Sequence, residues 1–209
     1  MVLNRRGIFF IIIITVILSL FLLSYTFYSG VQERKTTQKR IETMNNFLIS
    51  IEQDLERQLF ISGFRIIFIF EKRTIEKGFY ITNLSDTFEE LFFNGTIYGA
   101  VDSDTTILMT GAKFSDIQSL IQSKADKINV NTTLESPTIS ILQTDPWNLK
   151  VTLTSKFTMS DKSNLATWNK TQTIVSFIPI SNFKDPLYTI ETNALVIKTI
   201  KKNTLLKLF

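Results

Sequence analysis

The sequence contains neither His nor Cys. Ser-His-Asp and Cys-His nucleophile systems are therefore excluded, since each needs an imidazole or a thiolate. The usual zinc and blue-copper ligand sets are excluded on the same ground. Acid–base work would fall to carboxylates, and paired glycosidase carboxylates are defined by a separation in space that sequence does not give. Gly is scarce, at 7 residues. No Walker A run, no G-x-G-x-x-G turn and no EF-hand loop occurs. Asp102-Ser103-Asp104 could attract a hard cation, but it stops short of an EF-hand pattern and is read as a polar turn. No catalytic group, no metal ligand and no cofactor is expected.

Two short segments share one pattern, Thr144-Asp145-Pro146-Trp147 and Lys184-Asp185-Pro186-Leu187-Tyr188. Pro fixes φ and Asp bonds the backbone two residues on, so both read as turns at the edge of β segments. The functional alternative makes Trp147 and Tyr188 a recognition pair for a partner. Four Asn-x-Ser/Thr acceptors follow, at Asn83, Asn94, Asn131 and Asn169, and are expected in loops as glycosylation sites. The net charge is +4, but residues 81–197 carry more acids than lysines, so no nucleic-acid partner is expected. The surplus comes partly from Lys198, Lys201, Lys202 and Lys207, interleaved with Leu205, Leu206, Leu208 and Phe209. That tail reads either as a surface lying on anionic lipid or as a strand end.

These residues need elements to position them. No charge occurs between Gly7 and Gln32, and Ile8 to Leu23 is almost wholly Ile, Phe, Leu and Val. A helix of about 20 apolar residues crosses a hydrocarbon core of roughly 30 Å. Residues 7–29 are therefore a transmembrane helix, with Tyr25, Phe27 and Tyr28 in an interfacial aromatic belt. A cleaved secretory signal is the alternative, but the apolar run is too long for one and no A-x-A site follows. Arg5 and Arg6 favour a cytoplasmic stub over residues 1–6, although Arg34, Lys35, Lys39 and Arg40 follow the span. The short stub and the Asn acceptors place the rest of the chain outside.

Residues 30–77 read as an amphipathic stalk helix. Ile41, Met44, Leu48, Ile51, Leu55 and Leu59 form its apolar stripe, and Gly78 its stop. Ile66 to Phe70 is read as the end of this helix in the core, with a buried strand as its rival. Residues 78–209 are a head. Short helices are expected at Thr87–Phe93, with Glu89 and Glu90 in its first turn, and from Ser115 to about Lys127. Tyr98–Val101 and Thr105–Thr110 read as short strands. Thr138–Gln143, Leu149–Met159 and Gln172–Pro179 read as an antiparallel sheet, with Leu187–Ile200 as a last strand. The alternation of Val151, Leu153, Ser155, Phe157 and Met159 is the clearest strand signal. Helix first and sheet last gives an α+β fold: a long transmembrane-plus-stalk helix, then a head of short helices and an antiparallel β-sheet.

Arg5-Arg6-Gly7 followed at once by Ile8-Phe9-Phe10-Ile11-Ile12 resembles the start of archaeal type IV pilin-like proteins. In that family a short basic leader precedes a hydrophobic helix, which continues as a stalk into a β-rich head. The resemblance covers about the first 75 residues in pattern and the head in broad class. It implies a processing site at Arg6, Gly7 and Ile8. The family usually has Glu at the fifth position after cleavage, and this sequence has Ile12. Because that Glu is associated with subunit assembly, the departure bears on filament formation. The resemblance implies a structural or interaction protein of the cell envelope, not an enzyme, whose partners are the lipid bilayer and other membrane or envelope subunits. The alternative is an extracytoplasmic ligand-binding or sensor-type module, which the short stub would oblige to act with a partner membrane protein.

Overall fold

The computed structural model describes residues 5–193 and 195–202. Residues 1–4, from the expected cytoplasmic stub, and the tail residues Leu205, Leu206, Lys207, Leu208 and Phe209 lie outside the described residues. The architecture is α+β: one long N-terminal helix, short helices and a three-stranded antiparallel sheet. The chain divides into two compact units, Met1–Asn46 and Phe47–Phe209.

The first unit consists of the start of helix α1 (Arg5–Lys77). Its best 18-residue window has a mean hydropathy of 2.6, and none of that window is buried. The helix is thus long and apolar enough to cross a membrane. Three of its hydroxyls return to their own backbone: Thr15 Oγ1 donates to Ile11 O, Ser19 Oγ to Val16 O and Thr26 Oγ1 to Leu23 O. A hydroxyl satisfied in this way can sit in hydrocarbon.

The second unit is built around the rest of α1. Leu48, Ile51, Leu55 and Leu59 are buried at i, i+3, i+7 and i+11, whereas Ile41 is exposed. Ile66, Ile67, Ile69 and Phe70 are buried in helical conformation, which decides between helix and strand for this block. The helix stops where Gly78, at φ +68°, donates its N–H to Thr74 O at 3.0 Å. Only glycine adopts that left-handed conformation without cost.

Helix α2 (Leu84–Asn94) starts earlier than expected, from Asn83 at φ +49°. Asp86 is therefore its first-turn acid, and neither Glu89 nor Glu90 serves the helix dipole. The strands expected at Tyr98–Val101 and Thr105–Thr110 are absent. The first reduces to one bridge, Ile97 with Ala100, and the second is helix α3 (Ser103–Met109). Local capping decides this against the β-propensity of Thr and Ile. The Asp102 carboxylate accepts the Thr105 N–H at 2.8 Å, and Thr105 Oγ1 accepts the Asp102 N–H at 2.9 Å. Helix α4 (Phe114–Asp126) opens with Asp116 accepting the N–H groups of Gly111 and Lys113.

Strands β1 (Val130–Asp145), β2 (Asn148–Asp161) and β3 (Thr167–Pro179) form an antiparallel sheet in the order β1-β2-β3. Each of β1 and β3 begins earlier than the sequence suggested. In β1 the ladder continues across Pro137 by a register shift between Glu135 and Thr138, with Ser136 at φ +47°. A bulge is where a strand tolerates Pro. On β2 the alternating face of Val151, Leu153, Ser155, Phe157 and Met159 is buried throughout. Helix α1 lies against this face at Gly63, where a Cβ would run into Ile178 Cδ1 of β3.

Instead of a last strand, residues 186–191 form helix α5 (Pro186–Glu191), with Asp185 as its N-cap accepting the Leu187 N–H at 3.0 Å. Asp followed by Pro is a cap followed by the first helical position. A single bridge, Lys184 with Thr199, is what remains of β pairing there.

Candidate functional site: an apolar cleft in the head

Helix α1 presents a second stripe, Ile67, Phe70, Glu71, Thr74 and Ile75, to a cleft of about 230 Å³. Tyr80, Ile81 and Leu84 bound it from the α1–α2 connection. Ile141 of β1 and Leu149 of β2 bound it from the sheet, and Ile180, Phe183, Pro186 and Ile200 from the C-terminal segment. The C-terminal wall is held by main-chain bonds: Ile200 N donates to Phe183 O and Asn182 N to Ile200 O, both at 2.8 Å. At the rim, Glu71 Oε1 accepts the Lys184 N–H at 2.5 Å. Apart from the hydroxyls of Thr74 and Tyr80 the lining is apolar, so the cleft can hold an apolar group by dispersion and water exclusion.

A band of ion pairs fixes α1 against α3. Lys72 Nζ lies 2.6 Å from Asp104 Oδ1, and Arg73 pairs with Asp102. The hydrogen bond that Lys72 donates to Asp104 is the main cause that raises the Lys72 pKa. Burial alone would raise the Asp102 pKa, but the Thr105 backbone and hydroxyl donors together with Arg73 hold it below its ordinary value. The acidic pair is therefore a helix cap engaged by the chain's own cations, not a turn. Arg65 adds to the band, donating to Leu108 O and Thr110 O at 3.0 Å.

Trp147 stands in the turn between β1 and β2, where Asp145 Oδ1 accepts its N–H at 2.7 Å and the Asn148 N–H at 2.9 Å. Those bonds, with the Asn148 side chain the largest contributor, hold the Asp145 pKa below its ordinary value. Tyr188 lies on α5, its ring covered by Lys198 Nζ at 4.0 Å from the centroid. The two aromatics belong to different elements, and neither lines the cleft. All four candidate glycosylation residues are exposed. They are not all in loops: Asn83 caps α2 and Asn94 ends it, while Asn131 lies in β1 and Asn169 in β3. Gly7 is exposed at the start of α1, and Arg6 and Ile8 flank it in the same helix.

Sequence reasoning did not find the cleft, because it is assembled from separated segments. The one local signal was the continuation of apolar spacing through Ile67, Phe70 and Ile75 at the end of α1. Among the described residues, no cluster of three or more carboxylates could hold a metal ion. No family model, no curated protein and no solved structure matches the chain.

Proposed function

We propose that this chain is a single-pass membrane-anchored structural or interaction protein of the cell envelope. It has a pilin-like plan, a cytoplasmic N-terminus and an extracytoplasmic head that contacts partner subunits. The observation that carries this reading is the single 73-residue helix α1. Its first part is apolar and unburied, and its last part is the centre of a β-containing core. A soluble protein has no use for such a length of unburied Ile, Phe and Leu, whereas lipid solvates it. The test is the intact mass of the protein purified from its own membranes. Loss of Met1 to Gly7, or nearly so, is expected, together with glycan mass on the head. A full-length mass would remove pilin-type processing from the reading and leave an uncleaved anchor.

The cleft favours a second reading, an extracytoplasmic ligand-binding module acting with a partner membrane protein. Its lining suits an apolar ligand or an apolar side chain of that partner. Native mass spectrometry of the same preparation should then show a bound small molecule that Leu149→Trp expels. If the wild-type protein carries no adduct, this reading fails.

A further inference from the structure

The apolar cleft contains one buried hydroxyl that the fold leaves unused. Thr74 is 6% exposed and lines the cleft, yet its Oγ1 makes no hydrogen bond with a described residue. Other hydroxyls on α1 return to the carbonyl four residues back, Thr36 to Gln32 O and Thr43 to Lys39 O. A buried hydroxyl without a partner destabilises the fold unless something else engages it. Ordered water is a poor candidate, because it needs about two to four polar partners, and Thr74 shares the lining with Ile67, Phe70, Ile75 and Leu149. The Tyr80 hydroxyl raises no such question, since Tyr80 is half-exposed and open to bulk water.

Two polar groups at the rim have bonding capacity to spare. Glu71 lies three residues before Thr74, on the same face of α1. Its Oε1 accepts the Lys184 N–H, and its Oε2 has no partner among the described residues. Lys184 is exposed, and its Nζ makes no ion pair with a described residue. The cleft thus offers a hydroxyl, a carboxylate oxygen and an ammonium. A head group carrying a charge of either sign would meet its like there. A neutral hydroxyl donates to the carboxylate or accepts from the ammonium, and a second one engages Thr74. The cleft, at about 230 Å³, is smaller than the roughly 300–1,000 Å³ that encloses a drug-sized ligand, so it suits one hydrocarbon chain rather than two.

We propose that the cleft binds a neutral single-chain lipid, with its hydrocarbon chain against Ile67, Phe70 and Leu149 and its hydroxyl-bearing head on Thr74, Glu71 and Lys184. This names the ligand class for the ligand-binding reading given above and rests on that reading. Chain burial supplies affinity in proportion to apolar area. The polar groups choose the head, largely by exclusion: an anion is set against Glu71 and a cation against Lys184, each beside an apolar wall that solvates charge poorly.

The absence of Cys allows a reporter to be placed in the wall. The full chain carrying Ile81→Cys, in nanodiscs of phosphatidylcholine, is labelled with a small maleimide in the presence of 1,2-octanediol, octanoate or octylammonium at equal free concentration. The diol should halve the labelling rate at a concentration about tenfold below that needed by either ion, the factor expected for one charge-assisted hydrogen bond. Thr74→Val, which keeps the shape of the side chain, should raise the diol concentration required about fivefold, the equivalent of one neutral hydrogen bond. It should not lower the melting temperature of the ligand-free chain. Equal protection by the diol and an ion would overturn the choice of head while leaving an apolar ligand in place. Protection by none of the probes would refute the ligand-binding reading and this inference with it. A Thr74→Val chain that binds the diol as the wild type does, or that melts lower, would remove Thr74 from the site. Should Ile81→Cys fold poorly, hydrogen exchange over residues 79–84 of the wild-type chain makes the same comparison. The diol should slow it more than either ion does, and exchange indifferent to the diol would refute the proposal.

Discussion

Donors converge on the Glu90 carboxylate from the turn that the Ile97–Ala100 bridge closes. Thr96 Oγ1 lies at 2.6 Å, the Gly99 N–H at 2.7 Å and the Tyr98 N–H at 3.0 Å. Tyr98, a non-glycine residue at φ +53°, makes the turn conformationally expensive, and the carboxylate compensates for it. The Thr96 hydroxyl, with the Gly99 and Tyr98 N–H groups behind it, holds the Glu90 pKa below its ordinary value of 4.5 against the opposing effect of burial. A depressed folded-state pKa contributes stability above the unfolded value, and that contribution is lost as pH falls through the folded value. Glu90→Ala should therefore lower stability by about 1–3 kcal/mol at neutral pH. The gap between the two melting curves should close as pH is lowered below about 4.5. A gap unchanged down to acid pH would show that the carboxylate is not what holds the turn. The sequence placed Glu90 on a helix but assigned it to the helix dipole. Its partners lie six to nine residues away across a glycine turn whose shape no local pattern encodes.

At the scale of elements, α1 is legible because its apolar run and stripe are long and Gly78 marks its end. The sheet is legible because β2 alternates without a break. Two of the misreadings share a cause, a short polar side chain that redirects the backbone against the propensity of its neighbours, and a third is a bulge. Asp102 turns a Thr-rich strand candidate into α3, Asp185 turns a strand candidate into α5, and the bulge at Ser136 carries β1 through a Pro. The packing of α1 yields two predictions. Leu55 is 2% exposed and Ile41 40%. Leu55→Ala should cost about 2–5 kcal/mol and Ile41→Ala within about 0.5 kcal/mol of nothing, measured by denaturant unfolding of the detergent-solubilised chain. Gly63 tests helix–sheet contact differently. Ala there gains helix propensity while pushing on the flexible end of Ile178, so its effects oppose. Val adds a branched Cβ with no such latitude, and Gly63→Val should cost about 1–3 kcal/mol through overpacking. If Gly63→Val melts with the wild type, α1 does not rest on the sheet at this point.

At the scale of the whole molecule, two surfaces compete to explain membrane association. One is the apolar start of α1, where Phe9, Phe21 and Phe27 are each at least 66% exposed. The other is the basic C-terminal segment with Lys198, Lys201 and Lys202. Their physics differs. Burial of a transmembrane helix is insensitive to salt and to alkali, because it rests on apolar transfer and an internally satisfied backbone. Lysines on anionic lipid contribute about 1 kcal/mol each and are screened within a Debye length. The intact chain should therefore remain with membranes through high-salt and alkaline washing. Deletion of residues 7–29 should release it into solution with the melting transition of the head retained, since the unit from Phe47 onward has its own buried core. A deletion variant that stays bound at low salt and leaves at high salt would transfer the anchoring role to the basic segment. The lysines would then be what holds the head to the bilayer, and the apolar stretch of α1 would need another explanation, such as packing against the same stretch of neighbouring chains.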